Sequence, residues 1–154
     1  MKNKFLALIS LIIVLLLVSA CSSLQLVEGS NPYVNSSSDD VVKDKASFIA
    51  ALTESGAEVE VNGEVEQSFF GVTGETIKVN GNDVQVYEYE SKETMEADAA
   101  QVATDGGSVG TSMITWMATP HFFKNGQILA LYIGEDAATV ELLKATLGEQ
   151  FAGR

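Results

Sequence analysis

Few side chains in this sequence can do acid-base or nucleophilic chemistry, because the chain has one histidine, His121, and one cysteine, Cys21. His121 directly precedes two phenylalanines, and a lone histidine in that setting is more often a structural residue at the start of a strand. Serines and acidic residues are plentiful, but a hydrolase that uses His121 ranks last among the functions considered. We therefore expect a protein that is not an enzyme.

Metal chemistry is limited by the same scarcity. A zinc site needs several Cys or His ligands, and one of each cannot supply them. Calcium takes oxygen ligands, but none of the 21 acidic residues lies in an Asp-x-Asp-x-Asp-Gly loop. A weak calcium site at Asn80, Asn82 and Asp83, or at Asp105, stays open, although turns use such residues for their backbone geometry. We expect no metal and no other cofactor.

Anionic ligands are also disfavoured. The segment Gly106-Gly107-Ser108-Val109-Gly110 is glycine-rich like a phosphate loop, but it lacks the Gly-Lys-Ser/Thr ending and precedes a predicted strand instead of a helix. We interpret it as a flexible connection. The net charge of −12 repels the phosphates of nucleic acids and anionic lipid head groups. No nucleic-acid partner is expected.

The first twenty residues differ from the rest. Lys2 and Lys4 precede an apolar run over residues 5–18, and small residues follow, which is typical of a secretory signal peptide. Val18-Ser19-Ala20-Cys21 resembles the lipobox of bacterial lipoproteins. That resemblance implies cleavage before Cys21 and a diacylglycerol group on its sulfur. The alternatives are an ordinary signal peptide with a chance cysteine, and an uncleaved anchor helix.

The organisation follows from this leader. Residues 1–20 are the signal peptide, residues 21–43 are the lipidated cysteine with a flexible tether, and residues 44–154 are a single domain. We expect the protein at the cell membrane, held by its lipid and facing the extracytoplasmic side. Loss of Lys2 and Lys4 with the leader lowers the net charge from −12 to −14. The attachment therefore depends on lipid and not on charge.

The domain begins with a helix near Asp44, and a strand follows it. Val59, Val61 and Val65 alternate with glutamates, which predicts a half-buried strand with one acidic face. Asn62-Gly63 interrupts it as a hairpin turn or a bulge. Met113 to Met117 is apolar and typical of a further strand.

Two segments share a plan. Asn80-Gly81 and Asn125-Gly126 each lie between strand-like runs, which predicts hairpins, and a helix follows each hairpin after Ser91 and Asp136. The fold class is α+β, an antiparallel sheet of about five strands with about three helices on one face, built from two strand-turn-strand-helix units. The two units would result either from an internal duplication or from the same packing arrangement reached without one. The apolar run at residues 128–133 predicts a central strand.

The aromatic residues are the better functional signal. Tyr87 and Tyr89 share a strand face, and Trp116 and Phe122 lie near the glycine-rich segment. Strands bury such residues routinely, so a core role is one interpretation. The other is a groove or contact surface, since exposed Tyr and Trp favour interfaces. The candidate binding residues are Tyr87, Tyr89, Trp116, His121 and Phe122.

Residues 69–153 resemble a family of small conserved bacterial lipoproteins of unknown function. The resemblance brings no activity, cofactor or catalytic residue, and it implies a self-standing domain fused to a lipoprotein leader. The segments that carry it are Val84-Gln85-Val86-Tyr87-Glu88-Tyr89, Trp116, Pro120-His121-Phe122, Leu131-Tyr132-Ile133-Gly134 and Leu147-Gly148-Glu149-Gln150-Phe151.

Three functions remain, in order of preference. The first is a non-catalytic module that binds a protein or another envelope component, which should show an exposed aromatic patch. The second is a small-solute-binding lipoprotein, which should show an enclosed pocket lined by Tyr or Trp. The third is the hydrolase, which should place His121 within hydrogen-bond reach of a hydroxyl and a carboxylate.

Overall fold

The computed structural model of the protein describes residues 42–154. The predicted signal peptide, Cys21 and nearly all of the predicted tether lie outside the described residues, so cleavage and lipidation stay predictions. Within the described part, no helix is long and apolar enough to cross a membrane. The elements are helices α1 (Lys45–Glu54), α2 (Lys92–Ala99) and α3 (Ala137–Leu147), and strands β1 (Val59–Val65), β2 (Gly74–Val79), β3 (Asn82–Glu88), β4 (Ser108–Val109), β5 (Ser112–Met113), β6 (Pro120–Asn125), β7 (Ile128–Ile133) and β8 (Ala152–Gly153).

Six strands form one antiparallel sheet in the order β1-β2-β3-β7-β6-β8, and β4 and β5 form a separate ribbon. The predicted α+β class is confirmed. The sheet has one strand more than the approximate number expected, because the short β8 pairs with β6. Strand β7 lies between β3 and β6 and is buried along nearly its whole length, as its apolar run predicts.

Both predicted strand-turn-strand-helix units are present, as β2-β3-α2 and β6-β7-α3. Asn80 and Gly81 both take positive φ, which a tight two-residue hairpin turn requires. Gly126 also takes positive φ in the second turn. The Asn-Gly pairs therefore occur in the hairpins because these turns require residues that tolerate positive φ. The calcium hypothesis is not needed to explain Asn80.

The helices do not share one face of the sheet, which corrects that part of the expected architecture. Leu143 of α3 packs with Phe123 and with α1, whereas Met95 of α2 packs on the opposite face with Tyr87. The cause is β7, since a central strand that is apolar on both sides needs cover on both sides. If the two units were related by a two-fold axis perpendicular to the sheet between β3 and β7, α2 and α3 would lie on the same face. They lie on opposite faces, so no such axis relates the two units.

Strand β1 is an edge strand that is exposed on both faces. Its register against β2 shifts between Val61 and Gly63, so Asn62-Gly63 forms a bulge and not a hairpin turn. Because the bulge adds one residue, side chains that alternate in step before it point to the opposite faces of the sheet after it. Val59 packs on the cluster that includes α1, and Val65 packs on the opposite cluster. The single acidic face predicted for this strand is therefore wrong, because the bulge divides the glutamates between two faces.

The predicted helix starts are confirmed. Asp44, Ser91 and Asp136 are the N-cap residues of α1, α2 and α3, and each side chain accepts a hydrogen bond from the backbone N–H three residues later. The ordered contacts begin before the predicted boundary at residue 44. Val42 is fully buried, and the backbone N–H of Gln127 donates to the Lys43 carbonyl at 2.9 Å.

Candidate functional site

Tyr87 belongs to the core. Its side chain is fully buried, its ring lies 4.6 Å from the ring of Phe70, and its hydroxyl donates to Gln85 Oε1 at 2.7 Å. Burial raises the pKa of Tyr87 above its ordinary value, because the phenolate would lose its hydration. A Cβ at Gly74 would lie 2.5 Å from the ring, so this glycine makes room for it. Tyr87 is therefore a core residue, and it does not contribute to a binding surface.

Phe122 and His121 are also buried, on opposite faces of β6. Phe122 packs edge-on against Trp116 with ring centroids 6.0 Å apart. The His121 ring stacks on Tyr132 at 5.8 Å, with Nδ1 2.7 Å from Gln150 Oε1 and Nε2 3.2 Å from the Gly134 carbonyl. Both partners are carbonyl oxygens, which only accept, so each contact is a hydrogen bond in the form of the ring that carries a hydrogen on that nitrogen. His121 thus connects β6 to Gln150, which precedes β8, and to Gly134, which follows β7.

The hydrolase hypothesis requires a different setting. The two ring nitrogens of His121 bond an amide and a carbonyl, where a hydroxyl and a carboxylate are needed. Ser108 does stand in a Gly-x-Ser-x-Gly pattern, at residues 106–110. A nucleophile elbow lies between a strand and a helix, however, and Ser108 lies within the β4-β5 ribbon. This ribbon also replaces the flexible connection predicted for the glycine-rich segment.

Tyr89 is nearly buried, but it lines a cleft of about 410 Å³ beside α2. Its hydroxyl donates to Asp98 Oδ2 at 3.0 Å, and the Gly71 N–H donates to the same oxygen at 2.8 Å. Burial, and then the hydrogen bond to Asp98, raise the pKa of Tyr89 above its ordinary value. The polar atoms at this cleft are therefore bonded to one another, and the hydroxyl of Tyr89 is already engaged.

Trp116 is partly buried against the core, and it lines two open clefts. It sits in the segment 111–119, here called the Trp116 loop, which includes the short β5 and leads into β6. The indole Nε1–H donates to the Gly106 carbonyl at 2.7 Å, and the ring packs edge-on against Phe69 at 6.2 Å. The Ile114 N–H donates to the Gly107 carbonyl at 3.0 Å. These contacts connect the loop to the glycine-rich turn and to Phe69.

The Trp116 loop exposes two methionines that sequence reasoning did not single out. Met113 is 92% exposed and Met117 is fully exposed, and they are two of the three large apolar residues exposed in the part of the chain that the structure describes. The predicted strand over Met113 to Met117 is wrong beyond Met113, since residues 114–119 are irregular. The available signal was the pair of methionines around a tryptophan, next to Pro120, which disfavours a central strand.

Two open clefts lie along the Trp116 loop and share its residues. One has a volume of about 480 Å³ and is bounded by β3 and the end of β7; the other has a volume of about 400 Å³ and is bounded by the glycine-rich turn and residue 154. Both are lined by Ile114, Thr115, Trp116 and Ala118. The loop is thus a ridge between two clefts.

The walls of these clefts are more acidic than basic. Asp83, Asp105 and Glu135 line them, and the only basic residue among the lining side chains is Arg154. Hydrogen bonds from the Thr119 hydroxyl and backbone N–H hold the pKa of Glu135 below its ordinary value, so it stays ionised. Asp83 forms an ion pair with Lys78, which lies outside the clefts, at 2.9 Å.

The residues considered for calcium have structural partners. The Glu58 N–H donates to Asn80 Oδ1, Asn82 Nδ2 donates to the Thr139 hydroxyl, and Asp105 Oδ1 accepts from the Gly107 N–H. Among the described residues, no three His, Cys, Asp or Glu side chains are grouped so that they could hold a metal ion.

No family model matches the chain, and no curated protein or solved structure is significantly similar to it. The resemblance to small lipoproteins therefore stays a prediction based on its residues alone.

Proposed function

We propose that the chain is a lipid-anchored extracytoplasmic lipoprotein whose domain is a non-catalytic module that binds another protein through the Trp116 loop. The observation that carries the proposal is the exposure of nearly all of Met113 and all of Met117 on a loop whose Trp116 indole donates a hydrogen bond to the Gly106 carbonyl. Apolar side chains that do not contribute to a core, on an ordered ridge, favour contact with a partner. Methionine suits such contacts because its side chain is unbranched and polarizable.

The partner chemistry follows from the charges around the loop. Three carboxylates, one of which is paired with Lys78, and one guanidinium line the two clefts along the Trp116 loop. A matching surface would present an apolar side chain to Met113 and Met117 and would carry Lys or Arg at its rim. Such charges contribute more to the association rate and to selectivity than to affinity. Nucleic acids and anionic lipids carry the wrong charge.

Site-specific photo-crosslinking tests the docking surface. A photo-reactive amino acid replaces Met117 in the full chain, and as a control it replaces Ala50, which is exposed on α1. We expect one protein to be crosslinked from position 117 and not from position 50. The product should disappear in the variant Met113→Ser, and the crosslinked peptide should contain Lys or Arg. Equal crosslinking from both positions would contradict the proposal.

The anchor has its own test. The intact mass of the membrane-extracted protein should show loss of residues 1–20 and the addition of acyl groups, and Cys21→Ala should abolish both. A stable uncleaved precursor in the wild type would show that the leader is an anchor helix.

A second candidate function is small-solute binding in the cleft of about 400 Å³. One observation favours it, since Trp116, Glu135 and Arg154 together give this cleft an indole wall and charges of both signs. Trp116 is the only tryptophan, so its fluorescence reports directly on this site. A small zwitterionic or polyhydroxylated solute that shifts this fluorescence in the wild type, but not in Arg154→Ala, would support solute binding over protein docking.

A further inference from the structure

The methionine side chains of the domain differ sharply in their access to water. Three of the four methionines lie in the described residues, at positions 95, 113 and 117. Met95, on α2, is fully buried, whereas Met113 is 92% exposed and Met117 is fully exposed. Solutes in water therefore reach the thioether groups of the Trp116 loop, and the fold shields the thioether group of Met95.

We propose that Met113 and Met117 form an oxidation site at which a peroxide switches off docking through the Trp116 loop. This inference rests on the proposed function, since it concerns the regulation of the same surface. In each step a thioether sulfur bonds to one oxygen of hydrogen peroxide and the O–O bond breaks. The sulfur is oxidised by two electrons to a sulfoxide, and the proton of the transferred oxygen leaves with the departing hydroxide as water.

Oxidation at the loop should leave the fold intact. Neither Met113 nor Met117 belongs to the two clusters of buried residues that form the core. The loop is connected to the domain through other groups, such as the Trp116 indole, which donates to the Gly106 carbonyl. A sulfoxide at Met95 would instead place a polar oxygen in the core and destabilise it. The exposed pair therefore changes its chemistry without unfolding the domain.

The same oxidation should weaken docking strongly. The proposed contact places two apolar side chains against an apolar partner surface, and a sulfoxide oxygen would have to give up its hydration there. One polar group that is buried without a hydrogen-bond partner weakens binding on the order of tenfold. Reductases return the sulfoxide to the thioether, so the change is reversible. A bound partner would in turn cover both methionines and protect them from peroxide.

Peptide mass mapping tests the oxidation site itself. The full-length protein is treated with hydrogen peroxide, and the sulfoxide of each methionine is followed over time. We expect Met113 and Met117 to be oxidised on the order of tenfold faster than Met95. The urea unfolding midpoint should be unchanged when both loop methionines are oxidised and Met95 is not. Equal rates at the three positions, or a lower midpoint, would overturn the inference.

Photo-crosslinking tests the switch. A photo-reactive amino acid replaces Thr115, which is exposed on the loop, so that both methionines stay in place. The peroxide is removed before the protein is mixed with envelope extract. We expect oxidation to lower the yield of the crosslinked product on the order of tenfold, and methionine sulfoxide reductases to restore it. The double variant Met113→Leu, Met117→Leu is the matched control, because it stays apolar and cannot be oxidised there. Its yield should be the same before and after treatment.

The outcomes separate this inference from the proposed function. An undiminished product from the oxidised wild type would overturn the inference alone. An equal loss in the leucine variant would show that peroxide acts on another group, and it would overturn the inference as well. No product from the unoxidised protein, from position 115 or from position 117, would overturn the proposed function and the inference together.

Discussion

The two ends of the central sheet differ in how they use their apolar and polar groups. At the end where residue 42 meets the turn between β6 and β7, here called the Val42 end, Val42 is buried, the backbone of Val42 and Lys43 packs on Gly126, and the Lys45 ammonium pairs with Glu75 at 2.6 Å. At the end where the Trp116 loop enters β6, here called the Trp116 end, Met113 and Met117 are exposed, and Met117 lines the cleft of about 480 Å³. The first end is built as part of the core, and the second leaves apolar surface in contact with water.

The difference indicates a division of roles. Apolar surface stabilises a fold only when it is removed from water, so the two exposed methionines contribute little to the stability of this domain. The loop that carries them is nevertheless held by the Trp116 indole and by backbone hydrogen bonds. A rigid, exposed apolar ridge loses little conformational entropy when it binds, which favours a docking role.

The largest expected contrast is between methionines. Met95 is fully buried under α2, whereas Met117 is fully exposed. Met95→Ala should lower the free energy of unfolding by about 3 kcal/mol, because it leaves a cavity in the core. Met117→Ala should change it by less than about 0.5 kcal/mol. Urea denaturation of the two variants measures the difference, and comparable losses would mean that the loop packs against the domain.

The next contrast compares the two hairpin glycines. Gly81 and Gly126 both have positive φ, but a Cβ at Gly81 meets no atom within 4 Å, whereas a Cβ at Gly126 would lie 2.6 Å from the Val42 carbonyl oxygen. Gly81→Ala should cost about 1 kcal/mol of stability for its backbone conformation. Gly126→Ala should cost about 3 kcal/mol, because overpacking adds to that strain.

The same urea experiment measures both glycine variants. Equal costs would show that Val42 and Lys43 do not pack on the turn in solution.

A smaller effect is expected at the indole nitrogen. Trp116→Phe keeps an aromatic ring against Phe69 and Phe122 but removes the hydrogen bond to the Gly106 carbonyl. Stability should fall by about 1 kcal/mol. Hydrogen exchange at Gly107 and Ile114 should become faster, while exchange in β7 should change only in proportion to the global loss. Unchanged exchange in the loop would show that this bond does not order it.

The smallest effect is a pH dependence at the Val42 end. Hydrogen bonds from the Ser47 backbone N–H and hydroxyl hold the pKa of Asp44 below its ordinary value of 3.8. The ionised cap therefore stabilises the fold above that value, and the contribution is lost as the pH falls through the lower, folded-state pKa. Thermal unfolding of the wild type should show this loss below about pH 4, and Asp44→Asn, which caps without titrating, should reduce it. An identical acid profile in Asp44→Asn would contradict the assignment.

Much of the fold is predictable from local signals. The Asn-Gly pairs, the N-caps at Asp44, Ser91 and Asp136, and the apolar run of β7 each specify structure over a few residues, and the structure contains each of them. The placement of α2 and α3 on opposite faces was not predicted. The sequence of β7 contained the signal, because a central strand that is apolar on both faces requires a helix or loop to pack on each face.

The candidate site was harder to predict for a physical reason. Tyr87, His121 and Phe122 have the residue types of binding sites, but whether a side chain is buried depends on tertiary packing. Trp116 was identified from its type, and it is partly buried at the edge of two clefts. The two methionines beside it belong to an apolar run that resembles a strand, but Met113 is exposed in the short β5 and Met117 in the irregular backbone that follows.

Hydrogen exchange of the full chain, alone and in complex with the protein crosslinked from position 117, tests the central claim most directly. The account predicts that amides of residues 111–119 and of the cleft-lining strand ends are protected on binding, and that residues 42–47 and β1 are unchanged. Protection at the Val42 end or along β1, with no change in the Trp116 loop, would contradict it.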